Sequence, residues 1–400
     1  MKMLRFVHLI RTGAAVGLLL GTVLTASVGS PAEAFQAQDK PDFLTVGQKV
    51  QVASKVLDET REVWIRLPAG YENSQERYPV LIQLGGDRHF LYSAAIVDLL
   101  AGNGHIPAMI VAALPDPTPR HHYRDSTPTA ADYLPESGGA PQFLKFLKDE
   151  LIPHLESNYR TQPFRILCGH GLSGLFAVYA LFESPGVFGA IITDGASLTY
   201  DGSSLLKAVE AKLSDPRLRG SLYLGVGNEL ETIPGLQALV RLLERRASPG
   251  LEWKMEVEKD EDQGTASLPV FYKGLKWLYR AWRIPVEVAA KGLESVRAYY
   301  ADLAEKFGYD IPVTEKTLSG RGFQLIREQR FDDAAALFAL NAQAYPDSPQ
   351  VYHNLAVLHE RMKNWKQAAA YYEKAAEKAG PAEAELAKFY RAQAERLKKR

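Results

Sequence analysis

One stretch constrains the fold more than any other, residues 164–180, FRILCGHGLSGLFAVYA. The apolar run 164–168 has the length of a buried parallel strand, the glycines between 169 and 174 force a tight turn, and Leu175 onward resumes at helical spacing. A strand led through a sharp turn into a helix is the setting in which a Gly-x-Ser-x-Gly elbow exposes a nucleophilic serine. Here the frame is displaced. Gly169-His170-Gly171-Leu172-Ser173 puts glycine at the nucleophile position and serine where the second glycine belongs. Whether the chain catalyses anything turns on those two positions.

Around this stretch, strands and helices alternate. Residues 43–70 read as a strand hairpin with its turn at 57–61, and Tyr78 to Ile82 is a buried strand ending in Gly85-Gly86-Asp87. A glycine-rich loop there can present backbone N–H groups at the sheet edge, or it is simply a strand-to-helix turn. A helix at 91–101, a strand at 109–114, a long loop at 115–140 and a helix at 141–157 lead to the elbow. Strands then follow at 187–193, 221–226 and 252–258, with helices at 203–213, 234–246 and 269–282 between and after them. This order predicts a mostly parallel sheet covered on both faces. Glu229, or less directly Glu231, stands after a late strand, where a hydrolytic triad keeps its acid or where an exposed loop keeps a charge. His121-His122 in the long loop has no matching ligand cluster, so neither a metal nor a cofactor is expected.

Residues 1–34 read as a signal peptide: Lys2, Arg5 and Arg11 precede an apolar run from 14 to 28, and Ala32-Glu33-Ala34 fits a cleavage site. A periplasmic or secreted location follows, with no membrane span after cleavage; a retained anchor is the alternative. Cys168 is the one cysteine, so an exported chain has no internal disulfide to lean on. Charges balance at 47 basic against 47 acidic, which removes the electrostatic footprint expected of a nucleic-acid binder.

Several blocks in order, SKVLDETREVWIRLPAGY, YPVLIQLGGDRHF, RDSTPT, GGAPQFLKFLKDELIPHLESNYRT, GHGLSGLFAVYALFESPGVFGAIIT and DEDQGTASLPVFYKGLKWLY, resemble the "putative esterase" family of α/β hydrolases. That family includes siderophore esterases and formylglutathione-hydrolase-like enzymes. The resemblance implies an α/β-hydrolase fold over residues 35–285 and a serine–histidine–acid triad. It also implies an oxyanion site made by the Gly86–Asp87 loop and the Leu172 amide. Members carry GHSxGG at the elbow and a histidine before glycine in the acidic loop. This chain has Gly171 and Gln263 at those positions, and Asp194-Gly195-Ala196-Ser197 replaces the SPS-like segment. Glycine has no nucleophile, and glutamine cannot take and return a proton near neutral pH. Ser173 is the alternative nucleophile, although its place in the first helical turn suits a structural or capping role.

From Val313 the composition turns to alanine, charge and aromatics. Gly322, Ala334, Phe338 and Pro346 recur as Ala356, Ala368, Tyr372 and the break at Gly380-Pro381, at the period of about 34 residues that marks tetratricopeptide repeats. Residues 286–312 are then a linker helix, and 313–400 a small all-α domain of two repeats with a capping helix. The functional expectation is an exported, esterase-like binding protein with a degenerate triad, taking a small molecule in its hydrolase pocket and a protein or peptide partner on its repeats. The alternatives are an active carboxylic ester hydrolase using Ser173 and a structural assembly factor acting through the repeats.

Overall fold

The computed structural model describes residues 45–400 except 247, 381 and 382; the expected signal segment lies outside them. The described residues open with an antiparallel pair, β1 (Gln48–Ser54) and β2 (Glu59–Arg66). Their turn falls at 55–58, earlier than the expected 57–61, because Thr60 and Arg61 pair in the ladder and Asp58 takes the left-handed turn conformation at φ 53°. There follow β3 (Tyr78–Leu84), α1 (Gly86–Gly102), β4 (Ile110–Leu114), α2 (Pro119–Ser126), α3 (Ala140–Phe146), a π-helical turn (Leu147–Leu151) and α4 (Ile152–Asn158). Next come β5 (Thr161–His170), α5 (Leu172–Glu183), β6 (Ala190–Asp194), α6 (Tyr200–Glu210), β7 (Gly220–Val226), α7 (Ile233–Arg246), β8 (Leu251–Val257) and α8 (Ser267–Leu278).

These strands make one eight-stranded sheet, in the order β1-β2-β4-β3-β5-β6-β7-β8, parallel from β4 to β8. Every residue of β3, β4 and β6 is buried, as a strand covered on both faces requires. One face packs under α3–α7 and the other under α1 and α8. The parallel strands therefore all end at one edge, where ligands of open α/β sheets bind.

Two differences from the sequence reading bear on that edge. Helix α1 starts at Gly86, directly after the strand, so the glycine-rich segment is its first turn rather than a loop before it. The long loop also contains α2, which opens on Pro119. That helix is almost wholly polar and is held by ion pairs instead of an apolar stripe. Arg61 and Asp125, each 1% exposed, meet at 2.5 Å, and Arg124 and Arg61 both bind Glu59.

Beyond α8 the chain is helical: α9 (Val286–Ala289), α10 (Leu293–Phe307), α11 (Glu315–Arg327), α12 (Phe331–Ala344), α13 (Pro349–Arg361), α14 (Trp365–Lys378) and α15 (Ala384–Lys398). Helices α11–α14 form two antiparallel hairpins and α15 packs on the second. Gly322 permits this close approach, since a Cβ there would lie 2.3 Å from the Phe338 ring. The apolar core does not stop at Val313. One continuous cluster runs from the α1/α8 face of the sheet through α10 into the repeats, and residues 46–400 form one compact unit. Phe307 is the peg: its ring meets Phe164 of β5 edge-on at 5.0 Å and stacks on Tyr279 at 4.9 Å.

Candidate active site

The elbow is built from backbone first. Strand β5 ends at His170, and Gly171 turns the chain with φ 57° and ψ −118° into α5. A Cβ on Gly169 would sit 2.3 Å from the Ser173 carbonyl, and one on Gly174 3.0 Å from Ala196 Cα, so both glycines are required by close backbone approach. Gly171 is clamped on both sides: its N–H donates to the Asp194 carbonyl at 3.0 Å, and its carbonyl accepts from Ser197 N–H at 3.0 Å. A Cβ there would have only Ser197 Oγ near it, at 4.0 Å. A side chain at this expected nucleophile position would therefore point into open space.

Ser173 lies two residues on, 4% exposed, with its Oγ 3.3 Å from the equally buried Ser126 Oγ. It ties α5 to α2 and touches no imidazole or carboxylate through a hydrogen bond among the described residues. Of the expected oxyanion elements, the Leu172 amide is in the first turn of α5, and those of Gly86 and Asp87 are in the first turn of α1. First-turn amides have no partner within their helix. β3 and β5 are neighbours, so both sets of donors lie at one place on the sheet edge. Gly86 is packed too tightly for a side chain, since a Cβ there would lie 2.9 Å from Pro115 N; Asp87 is exposed, and its carboxylate accepts from Asp116 N–H at 3.4 Å.

Glu229 sits just beyond β7, its carboxylate 3.1 Å from where a Cβ of Gly195 would be. Oε2 accepts from Thr232 Oγ at 2.9 Å, whereas Oε1 is buried with no partner. Glu231 is exposed. Gln263 is exposed as well, in a turn fastened by Asp262 Oδ1, which accepts from Gly264 N–H at 2.8 Å and Thr265 N–H at 3.1 Å. The loops of Glu229 and Gln263, the expected acid and base positions, are thus neighbours, joined by a hydrogen bond from Asn228 N–H to the Glu261 carbonyl at 2.7 Å, and among the described residues no imidazole bonds to Glu229.

The sequence reading did not find the polar cluster beneath the elbow. Asp194 Oδ2 accepts from His170 Nδ1 at 2.8 Å and from Ser267 Oγ at 2.5 Å. Behind His170 lies His89, at 5.8 Å between rings, with its Nδ1 2.9 Å from Tyr92 OH. A serine, a histidine and an aspartate are together, but the wiring is not that of a triad, because the serine proton goes to the carboxylate instead of to a free imidazole nitrogen. The signal available was register, since His170 and Asp194 are direct partners on adjacent parallel strands. Burial, and then the charge of His170, hold His89 down at about 4, so it is neutral at physiological pH. Burial pushes the Cys168 thiol up, leaving no thiolate nucleophile. A cavity of about 10 Å³, the room of about one water, separates Tyr92, Cys168, Asp194 and Ser267.

His121 and His122 bond to Thr118 and Asp116 at 2.8 and 2.9 Å, and among the described residues no three metal-type ligands converge. No helix among the described residues is long and apolar enough to cross a membrane.

Fold and edge geometry define an α/β-hydrolase domain carrying helical repeats. Residues 54–238 match the family model described as "Putative esterase", and residues 349–380 match a tetratricopeptide repeat. The ferri-bacillibactin esterase of Bacillus subtilis is 34% identical over 123 residues, 27% of this chain and 42% of that relative, so the match spans less than half of the relative's length. The structure of an IroE-like serine hydrolase from Shewanella oneidensis is similar at TM-score 0.64 and 26% identity, over 74% of this chain and 99% of that one. An uncharacterised protein from Capnocytophaga ochracea shares the fold over 87% of this chain and 99% of its own, at 14% identity and TM-score 0.59.

Proposed function

We propose that this chain is an exported, esterase-fold binding protein that holds a small-molecule ligand at the C-terminal edge of its sheet without acyl-serine chemistry, and meets a protein partner through its repeats. The observation that carries the reading is Gly171: the elbow keeps its turn and its amides while the reacting atom is absent. Gln263, exposed on its own turn, supports it from the other side of the site. In subtilisin, loss of the serine or the histidine alone removes about 10⁶-fold of kcat, so a chain lacking both has little left to select for. The siderophore-ester substrates named for its relatives indicate the ligand's class, an ester-bearing or ester-derived small molecule. The rival, a displaced nucleophile at Ser173, has a buried hydroxyl bonded to Ser126 and no base.

The test is hydrolysis of p-nitrophenyl butyrate together with labelling by a fluorophosphonate. Turnover at the buffer rate and no covalent adduct are expected. Stoichiometric labelling of Ser173 with matching turnover overturns the reading.

A further inference from the structure

Strand β8 closes the sheet at the end away from β1, and among the described residues no strand pairs with its outer edge. Its bonds to β7 keep one phase. Gly220 N–H donates to the Gly250 carbonyl at 3.0 Å and Glu258 N–H to the Val226 carbonyl at 2.8 Å, with an unbroken register between them. The even-numbered residues of β8 therefore turn their backbone groups toward β7, and the N–H and C=O groups of Trp253, Met255 and Val257 point outward. Open edges are usually blunted by proline, a bulge or an unpaired charge. This strand, LEWKMEV, has no proline, its ladder has no bulge, and Lys254 is neutralised by Glu256 of the same strand at 2.6 Å. Trp253, Met255 and Val257 pack beside the core under α7, which leaves Glu252, Lys254 and Glu256 on the other face.

We infer that β8 is the interface between two copies of this chain, paired antiparallel about a two-fold axis through Met255. In that register Met255 exchanges both backbone bonds with Met255 of the second copy, and Trp253 does so with Val257, so every outward group finds a partner. Between these pairs the side chains come closest, and there Lys254 meets Glu256 of the second copy, once on each side of the axis. The next registers fail. An axis through Lys254 or Glu256 sets that residue against its own copy, like charge on like, and one through Trp253 sets Val257 against Pro249, which has no N–H to give. In the chosen register the outermost pair is Glu252 with Glu258. Each already holds its own cations, Arg280 and Lys306 at 3.0 and 2.8 Å for Glu252 and Lys273 at 2.7 Å for Glu258. An interface of this kind is self-complementary, as two-fold symmetry demands. Since the joined strands run in opposite directions, the two candidate sites open at opposite ends of one continuous sheet.

The test is sedimentation equilibrium of the purified chain between about 1 and 100 µM, where a reversible monomer–dimer exchange is expected. Met255→Pro removes an N–H that β7 does not use, so it blocks the outer edge and spares the ladder. That variant is expected to be monomeric throughout, with its far-ultraviolet circular dichroism unchanged. Lys254→Glu and Glu256→Lys each set like charges opposite one another twice, and each is expected to weaken the dimer by at least about tenfold. The double variant restores opposite charges across the axis and is expected to recover the dimer. Should the proline variant lose its fold, the charge-exchange set decides alone. A wild-type protein that stays monomeric, a dimer indifferent to a folded Met255→Pro, a double variant no tighter than the single ones, or a dimer dissociated instead by Phe389→Ser on α15 overturns the inference.

Discussion

Gly171→Ala measures the elbow directly. An L-residue at φ 57°, ψ −118° costs about 1–3 kcal/mol, and a Cβ at this site meets nothing closer than Ser197 Oγ at 4.0 Å, so backbone strain is the main contribution. The alanine also removes conformational freedom from the unfolded chain, which returns about 0.4–1 kcal/mol. The net expectation is a loss of about 1–2 kcal/mol. At Gly169 the same change drives a Cβ to 2.3 Å from the Ser173 carbonyl, and the loss should be larger. Urea unfolding at 25 °C followed by tryptophan fluorescence reads both: each variant should lower the midpoint at unchanged slope, Gly169→Ala further than Gly171→Ala. A Gly171→Ala protein as stable as wild type, or more so, refutes the reasoning, because it means that the turn is not held in the left-handed half of φ/ψ space in solution. The corollary is that serine at this position carries strain that glycine does not. With glycine at 171 the turn is relaxed and carries no reactive atom.

Acid should weaken the fold through His89. Its imidazole titrates at about 4 in the folded protein against an ordinary value of 6.5 once unfolded, so the unfolded chain binds more protons between those values; stability is full above pH 6.5 and falls by up to about 3 kcal/mol toward pH 4. Urea midpoints across pH 4–8 should slope less for His89→Gln than for wild type, and parallel slopes exclude this histidine as a source. Phe307→Ala should cost about 3–5 kcal/mol and shift one shared calorimetric transition, since the ring fills space between β5, Tyr279 and α10. A separate early transition for the repeats would show that the two parts fold independently.

The alternation of short apolar runs with helical stretches made the sheet legible, because strands buried on both faces leave continuous hydrophobic segments that little else in a chain produces. The elbow was equally legible, since close backbone approach at Gly169 and Gly174 demands glycine whatever the chemistry above it. Helix α2 was not: its residues are stabilised by Glu59 and Arg61, far off in sequence, and such ion pairs leave no periodic trace. Nor were the contacts of Glu229, whose carboxylate accepts from Thr232 and lies against the glycine at 195. The Asp194–His170–Ser267 cluster required strand register, which sequence order alone does not supply. The repeat period was plain near Val313, but the shared core was hidden because the residues that join it, on α8, α10 and α11, read as ordinary amphipathic faces.

That shared core gives the repeat array a direction. A free-standing solenoid can lengthen by duplication at either terminus, each new hairpin stacking on the last. Here the first hairpin is already seated on α9 and α10 and, through them, on the sheet. An inserted unit at that end would have to reproduce the seat that Phe307 and its neighbours occupy. At the other end α15 presents Leu386 and Phe389 to solvent, 37% and 47% exposed. Descendants of this chain with longer arrays should therefore carry their extra hairpins after residue 380, leaving the spacing between the elbow and the first hairpin untouched.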